Sequence, residues 1–273
     1  MPMPRLPDYR FLLLACCGAL SGCSPQEYDQ LMEQRLKEFR HTEKFQILFT
    51  APIEFPGTPI RIRVPGITTD ESQQFRLLTE KSRDPEFPAS DPIRVSPYRL
   101  HPPFMRIPGL RATLEAPLTG NPQGDILPAY CYLAAVEKKQ NKAEVPAAQI
   151  PKLIVESLKR AFPGQNPAWK DEQCDTPEVG KVITWKKVSV SGPQAWAYRG
   201  RAEDGLGEDT PHIHMHPGTF EVWLNDDHPD WLVLVAWRVA EPVKQTFDIE
   251  KFGSLTAGTL SIAAAEQSEA NPQ

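Results

Sequence analysis

The sequence predicts an α+β domain, an antiparallel sheet with helices packed on it and proline-rich loops in its N-terminal half. Three observations carry this. Residues 180–240 hold consecutive strand patterns joined by short turns, the mark of antiparallel pairing. Two stretches, about 25–40 and 147–161, place apolar residues at helical spacing. The chain also carries 29 prolines in 273 residues, roughly twice average usage, which argues against an all-helical protein because proline breaks helix interiors.

In chain order, Ser24-Pro25-Gln26-Glu27 is a capping-box pattern with proline at the first helical position. Tyr28, Leu31, Met32, Leu36 and Phe39 then form one apolar stripe. We expect the stripe to pack on the chain's own domain; a bilayer surface is the alternative. Residues 45–128 contain fourteen prolines, and the apolar runs Phe45–Phe49, Ile60–Val64 and Leu110–Leu114 between them read as short strands. Arg61 and Arg63 alternate with Ile60, Ile62 and Val64, as a half-buried strand does. AYCYLAAV, 129–136, reads as a buried strand. Ile150, Leu153, Ile154, Leu158 and Phe162 make one helix face, ended by Pro163-Gly164. Val182–Val190, a turn at Ser191-Gly192 and a partner at Ala195–Arg199 form one expected hairpin. Phe220–Leu224 and Trp231–Val239 form a second around 225–230. Phe252, Leu255, Thr259, Leu260 and Ala263 suggest a last helix, and the polar residues 266–273 a disordered tail. The expected domains are thus a leader over 1–22, an anchor and amphipathic helix over 23–44, and one α+β domain over 45–265, with a subdivision open near 128–146.

Residues 1–22 read as an export signal rather than as fold. Arg5 and Arg10 supply positive charge, and Phe11–Leu20 is an apolar run too short to cross a bilayer core of about 30 Å. At Leu20-Ser21-Gly22-Cys23 the segment closely resembles the bacterial lipobox. That resemblance implies lipid on the Cys23 thiol, cleavage before Cys23, and a palmitate-bearing lipoprotein held on a membrane of the cell envelope. Ordinary secretion with a bystander cysteine is the alternative. Ser24 follows the cysteine, and by the lipoprotein sorting rule this implies the outer membrane in a cell with two membranes, otherwise the outer face of the plasma membrane. Net charge is −5, so no general attraction to nucleic acid is expected.

After cleavage the remaining thiols are Cys131 and Cys174. Two thiols in an exported chain suggest a disulfide, with two separately buried cysteines as the alternative. Pro211-His212-Ile213-His214-Met215-His216-Pro217 is the one local chemical lead. On a strand the three imidazoles share a side, but His212 and His216 stand roughly 13 Å apart at Cα by the strand rise. At most two bind one ion, completed by His228 or by Glu203, Asp204, Glu208 or Asp209. Imidazole with carboxylate suits zinc, and imidazole with the Met215 thioether suits copper. The expected arrangement, ahead of metal binding, points Ile213 and Met215 into the core and the histidines to water.

No nucleophile elbow, zinc-protease helix, phosphate-binding loop or dinucleotide fingerprint is present. The tryptophans alternate within strand patterns, which favours core packing over a ligand cleft. From helix 147–161 onward the element order resembles sandwich folds of the Mog1/PsbP type. The expectation is a membrane-anchored lipoprotein with no catalytic residues and a binding or structural role toward another envelope protein. Two alternatives stand beside it: a zinc- or copper-binding protein using His212, His214, His216 and His228, and a hydrolase of wall or carbohydrate material with dispersed acid groups.

Overall fold

The computed structural model describes residues 25–66, 75–78, 101–119, 126–139, 145–198 and 212–263. The chain divides into two compact units, Met1–Lys44 and Phe45–Gln273. In the first, helix α1 (Pro25–Lys44) begins at the proline that the capping pattern marks. His41 and Lys44 sit in its last turn, where cations suit the helix dipole. Its apolar stripe is not buried: Tyr28 is 59% and Phe39 60% exposed, and Leu31, Met32 and Leu36 are exposed as well.

The second unit is an α+β domain built on one large antiparallel sheet. Its strands are β3 (Arg76–Leu78), β4 (Leu110–Thr119), β5 (Ile126–Glu137), β6 (Lys170–Asp175), β7 (Val182–Tyr198), β8 (His212–Asn225) and β9 (Trp231–Ala240). They lie side by side in the order β3-β4-β5-β9-β8-β7-β6. Helix α2 (Ile150–Ala161) carries the chain from β5 to β6, which lies at the far edge of the sheet. From there β6 to β9 run as a meander until β9 docks on β5. The strands β5 and β9 are central, so both of their faces are covered and nearly every residue is buried.

Alternation of side chains assigns the two faces. One face carries Cys131, Trp237, Glu221 and Ser189, opposite one another on β5, β9, β8 and β7. Helix α3 (Ile249–Gly258) lies on it, against Trp223 and Glu221. Phe75, Trp237 and Phe247 meet edge-on or tilted on this side at centroid distances of 5.5–5.7 Å. The other face carries Tyr130, Arg238, Phe220 and Val190. There Phe162, just past α2, touches Phe104, which in turn touches Phe220. Ile150, Ile154 and Leu158 of α2 are buried, each contributing about 1.5–3 kcal/mol by leaving water. A small sheet, β1 (Ile53–Glu54), β2 (Ile60–Ile62) and β10 (Ser261–Ile262), is ordered β1-β2-β10.

Four details depart from the sequence reading. Ser191-Gly192 is no turn: β7 runs straight through it, with Ser191 opposite Thr219 and Gly192 opposite Gly218. The pairing partner β8 is long enough to support one continuous strand, and Gly192 leaves room for Phe162, whose ring would stand 3.1 Å from an added Cβ. Phe45–Ile47 is a single 3-10 turn rather than a strand. Arg63 holds it by donating from Nε to the Phe49 carbonyl at 2.6 Å and from Nη2 to the Phe45 carbonyl at 3.1 Å. Helix α3 is capped by Asp248, whose side chain accepts from the Lys251 amide at 3.1 Å, and it ends before Thr259. Residues 261–262 go instead to the small sheet.

Candidate functional site

Cys23 lies outside the described residues. Cys131 and Cys174 do not form the expected disulfide; both thiols are free and buried. The reason is topological. Cys131 sits on β5 and Cys174 on β6, with β9, β8 and β7 between them. Four strand spacings put them at least roughly 19 Å apart, and the six-residue offset from Ser189 to Ile183 along β7 adds to this. A disulfide needs Cα atoms within about 7 Å. Burial raises the Cys131 thiol well above its ordinary range. It raises Cys174 to about 11 against a smaller opposing effect of a hydrogen bond with Ser254.

The backbone of the histidine run is strand, pairing Trp196 with His214 and Gln194 with His216. The side chains of His212, Ile213 and His214, and all of Glu203, Asp204, Glu208 and Asp209, lie outside those described. Met215 is 63% exposed, so it does not point into the core as expected. The run contributes a backbone contact instead, the His216 carbonyl accepting from Trp196 Nε1 at 3.1 Å. His228 is not brought to the run. It occupies the β8–β9 turn, where Nδ1 accepts from the Asp230 amide at 3.2 Å. The length of β8 from His216 to Asn225 separates them, roughly 30 Å by strand rise. Among the described residues no three histidine, cysteine, aspartate or glutamate side chains gather as metal ligands.

The arrangement with most chemistry in it was not singled out from sequence. A cleft of about 620 Å³ opens at the β6–β7 side of the sheet, bounded by the Gln165–Ala168 loop and by Glu172, Lys187, Ser189, Glu221 and Glu250. Strand register brings these groups together. Glu221 faces Ser189 across β8 and β7, and two residues along the same face Trp223 stands beside Lys187, which stands beside Lys170. Glu221 is only 2% exposed. Its Oε1 accepts from Trp223 Nε1 at 2.7 Å. Gly253 of α3 allows the helix to close over this pair: an added Cβ would fall 2.9 Å from Trp223 Nε1 and 3.1 Å from Glu221 Oε1. Lys187 Nζ lies 4.9 Å from the Trp223 ring centre, 3.7 Å from Glu172 Oε2 and 3.9 Å from Glu250 Oε1.

Burial pushes the Glu221 carboxyl up to about 7; Lys187 and the Trp223 hydrogen bond pull it down, and Glu250 and Glu172 push it further up. A carboxyl that exchanges its proton near neutral pH can donate a hydrogen bond to a ligand oxygen or act as a general acid. Glu172 and Glu250 share Lys187 as counter-ion, Lys170 adds a second cation to the lining, and Glu221 is the buried acid among them. The clue in the sequence was Thr219-Phe220-Glu221-Val222-Trp223-Leu224, a lone acid at the middle of a strand otherwise set for the core. Four of the six tryptophans, Trp185, Trp196, Trp223 and Trp237, are fully buried, in keeping with a packing role.

Neither a family model nor a curated protein matches this chain.

Proposed function

We propose that this chain is a cell-envelope lipoprotein, cut before Cys23 and held on a membrane by lipid there, whose α+β domain binds or supports another envelope component without catalysing a reaction. One observation carries the reading: α1 starts two residues after Cys23, and within its own unit Tyr28, Leu31, Met32, Leu36 and Phe39 are left uncovered. A lipid on Cys23 would keep that stripe at the bilayer surface, where amphipathic helices bury their apolar side. Along α1 the acids Glu33, Glu38 and Glu43 are mixed with Arg35, Lys37 and Arg40, and Arg35 and Glu43 fall within the apolar stripe itself. Such a helix has no strong pull toward anionic lipid, so the covalent lipid supplies the affinity and the helix sets the orientation. In a cell with two membranes the sorting rule sends the protein to the outer one.

The hydrolase reading has one observation in its favour, the Glu221 carboxyl held near neutrality in a cleft. Against it, the neighbouring Glu172 and Glu250 are taken up by Lys187, and a glycosidase needs two carboxyl groups free for acid and base roles.

Two assays test the proposal together. In cells fed labelled palmitate, wild-type protein takes up label and sediments with membranes, and Cys23→Ala does neither. Purified protein incubated with cell-wall glycan releases no soluble fragments. Equal sedimentation of the unlabelled variant contradicts the anchor. Fragment release that disappears in Glu221→Gln replaces the binding role with hydrolysis.

A further inference from the structure

A second cleft, of about 800 Å³, lies on the other face of the sheet between β4, β5 and α2. Its volume is in the range of small-molecule sites, roughly 300–1,000 Å³. Its lining is divided in character. Met105, Ile107, Val136 and Ile154 are buried and form an apolar floor, with Leu153 at the edge, 36% exposed. The exposed lining residues His101, Arg106 and Arg111 form a rim.

Among the described residues neither guanidinium group has an ion-pair partner. Among these residues Arg111 donates from Nε, to the Ala135 carbonyl at 3.4 Å, and from no other nitrogen. No described carboxylate pairs with Arg106 or Arg111, although Glu137 lines the same cleft. His101 is held below its ordinary range, first by burial and then by Arg106, so it is neutral at neutral pH and the rim's charge comes from the two arginines. Two arginines thus face the one acid, Glu137, in the lining. The mouth is also rigid. Gly109 sits between the arginines in the left-handed region at φ +67°, and a Cβ there would fall 2.5 Å from Val136 Cγ2. The Ala135 amide donates to the Gly109 carbonyl at 2.9 Å, pinning the segment to β5.

We propose that this cleft binds a single-chain anionic amphiphile, its carboxylate or phosphate head on Arg106 and Arg111 and its hydrocarbon on the Met105–Ile107–Ile154 floor. Arginine suits such heads because its planar donors match two oxygens at once. The floor would be wasted on a small polar anion, and the unpaired arginines would be wasted on a neutral lipid. The source of the head group is a free amphiphile or a lipid drawn from a bilayer. The inference stands apart from the Cys23 anchor.

The full chain carrying Cys23→Ala is titrated calorimetrically with dodecanoate, butyrate and dodecyltrimethylammonium, and is pelleted with phosphatidylcholine vesicles containing lysophosphatidylglycerol, a single-chain anionic lipid. Dodecanoate binds one per chain, and the other two compounds bind at least about tenfold more weakly, equivalent to 1.4 kcal/mol or more. The double variant Arg106→Glu/Arg111→Glu loses about tenfold or more in dodecanoate affinity with its circular dichroism unchanged. Leu153→Glu, at an exposed position that tolerates charge, loses the same from the apolar side. Given that result, vesicle pelleting that falls in the double variant assigns the head group to bilayer lipid, and unchanged pelleting assigns it to a free amphiphile. Dodecyltrimethylammonium binding as well as dodecanoate overturns the proposal. So does undiminished dodecanoate binding in folded double and Leu153→Glu variants.

Discussion

Glu221 pairs a buried position with a carboxyl at about 7, which links folding stability to pH with a definite sign. In the unfolded chain this carboxyl ionises near its ordinary value of 4.5. Between there and about 7 the folded protein keeps a proton that the unfolded chain has released, so stability falls as pH rises through that window and levels off above it. The loss is on the order of 3 kcal/mol. Glu221→Gln removes the ionisation and retains an oxygen for Trp223. Its melting temperature should match wild type at pH 5 and exceed it by about 5 °C or more at pH 8; parallel profiles across pH 5–8 would contradict the account. The two thiols give a second residue-scale prediction. Cys131 and Cys174 are free, buried and hard to ionise, and the thiolate is the reactive form. A disulfide-exchange reagent should leave both unmodified in the folded protein and modify both in denaturant. A melting temperature that drops on reduction would show a bond where the sheet order forbids one.

Among the elements, those whose apolar periodicity decides their fate were legible in the sequence. The buried run at 129–136 lies within β5, the hairpin over 220–239 is β8 and β9, and the helix face Ile150, Ile154, Leu158 is that of α2. Elements whose form depends on distant partners were not. Ser191-Gly192 carries the composition of a turn, yet cross-strand pairing with Thr219 and Gly218 keeps it extended. The 3-10 turn at Phe45–Ile47 depends on Arg63, and the end of α3 on close packing against β6. Gly258 marks that contact: a Cβ there would fall 1.9 Å from the Asp175 carbonyl oxygen. Backbone meets backbone and neither yields easily, so Gly258→Ala should cost about 3 kcal/mol, the upper part of the overpacking range. Chemical denaturation reads this directly, and a loss below about 0.5 kcal/mol would mean that α3 does not sit so close to β6.

For the whole molecule, the fold class followed from pattern alone, while the candidate site did not. The acidic cleft joins Glu172, Lys187, Glu221 and Glu250, residues from three strands and a helix. No local motif records their meeting, because it is set by strand register and by the approach of α3. The histidine run was conspicuous for the opposite reason, being local, yet its proposed partner His228 lies at the other end of β8. The proposed N-terminal address, the leader and the Cys23 anchor, is read from linear sequence alone. Everything proposed about compartment and orientation rests on that address and on the exposed stripe of α1. The most direct test is the intact mass of the protein recovered from membranes of the cells that make it. The account predicts a chain beginning at Cys23 with the added mass of diacylglycerol and fatty acid; a chain of unmodified mass beginning at Met1 and recovered without membranes would contradict it.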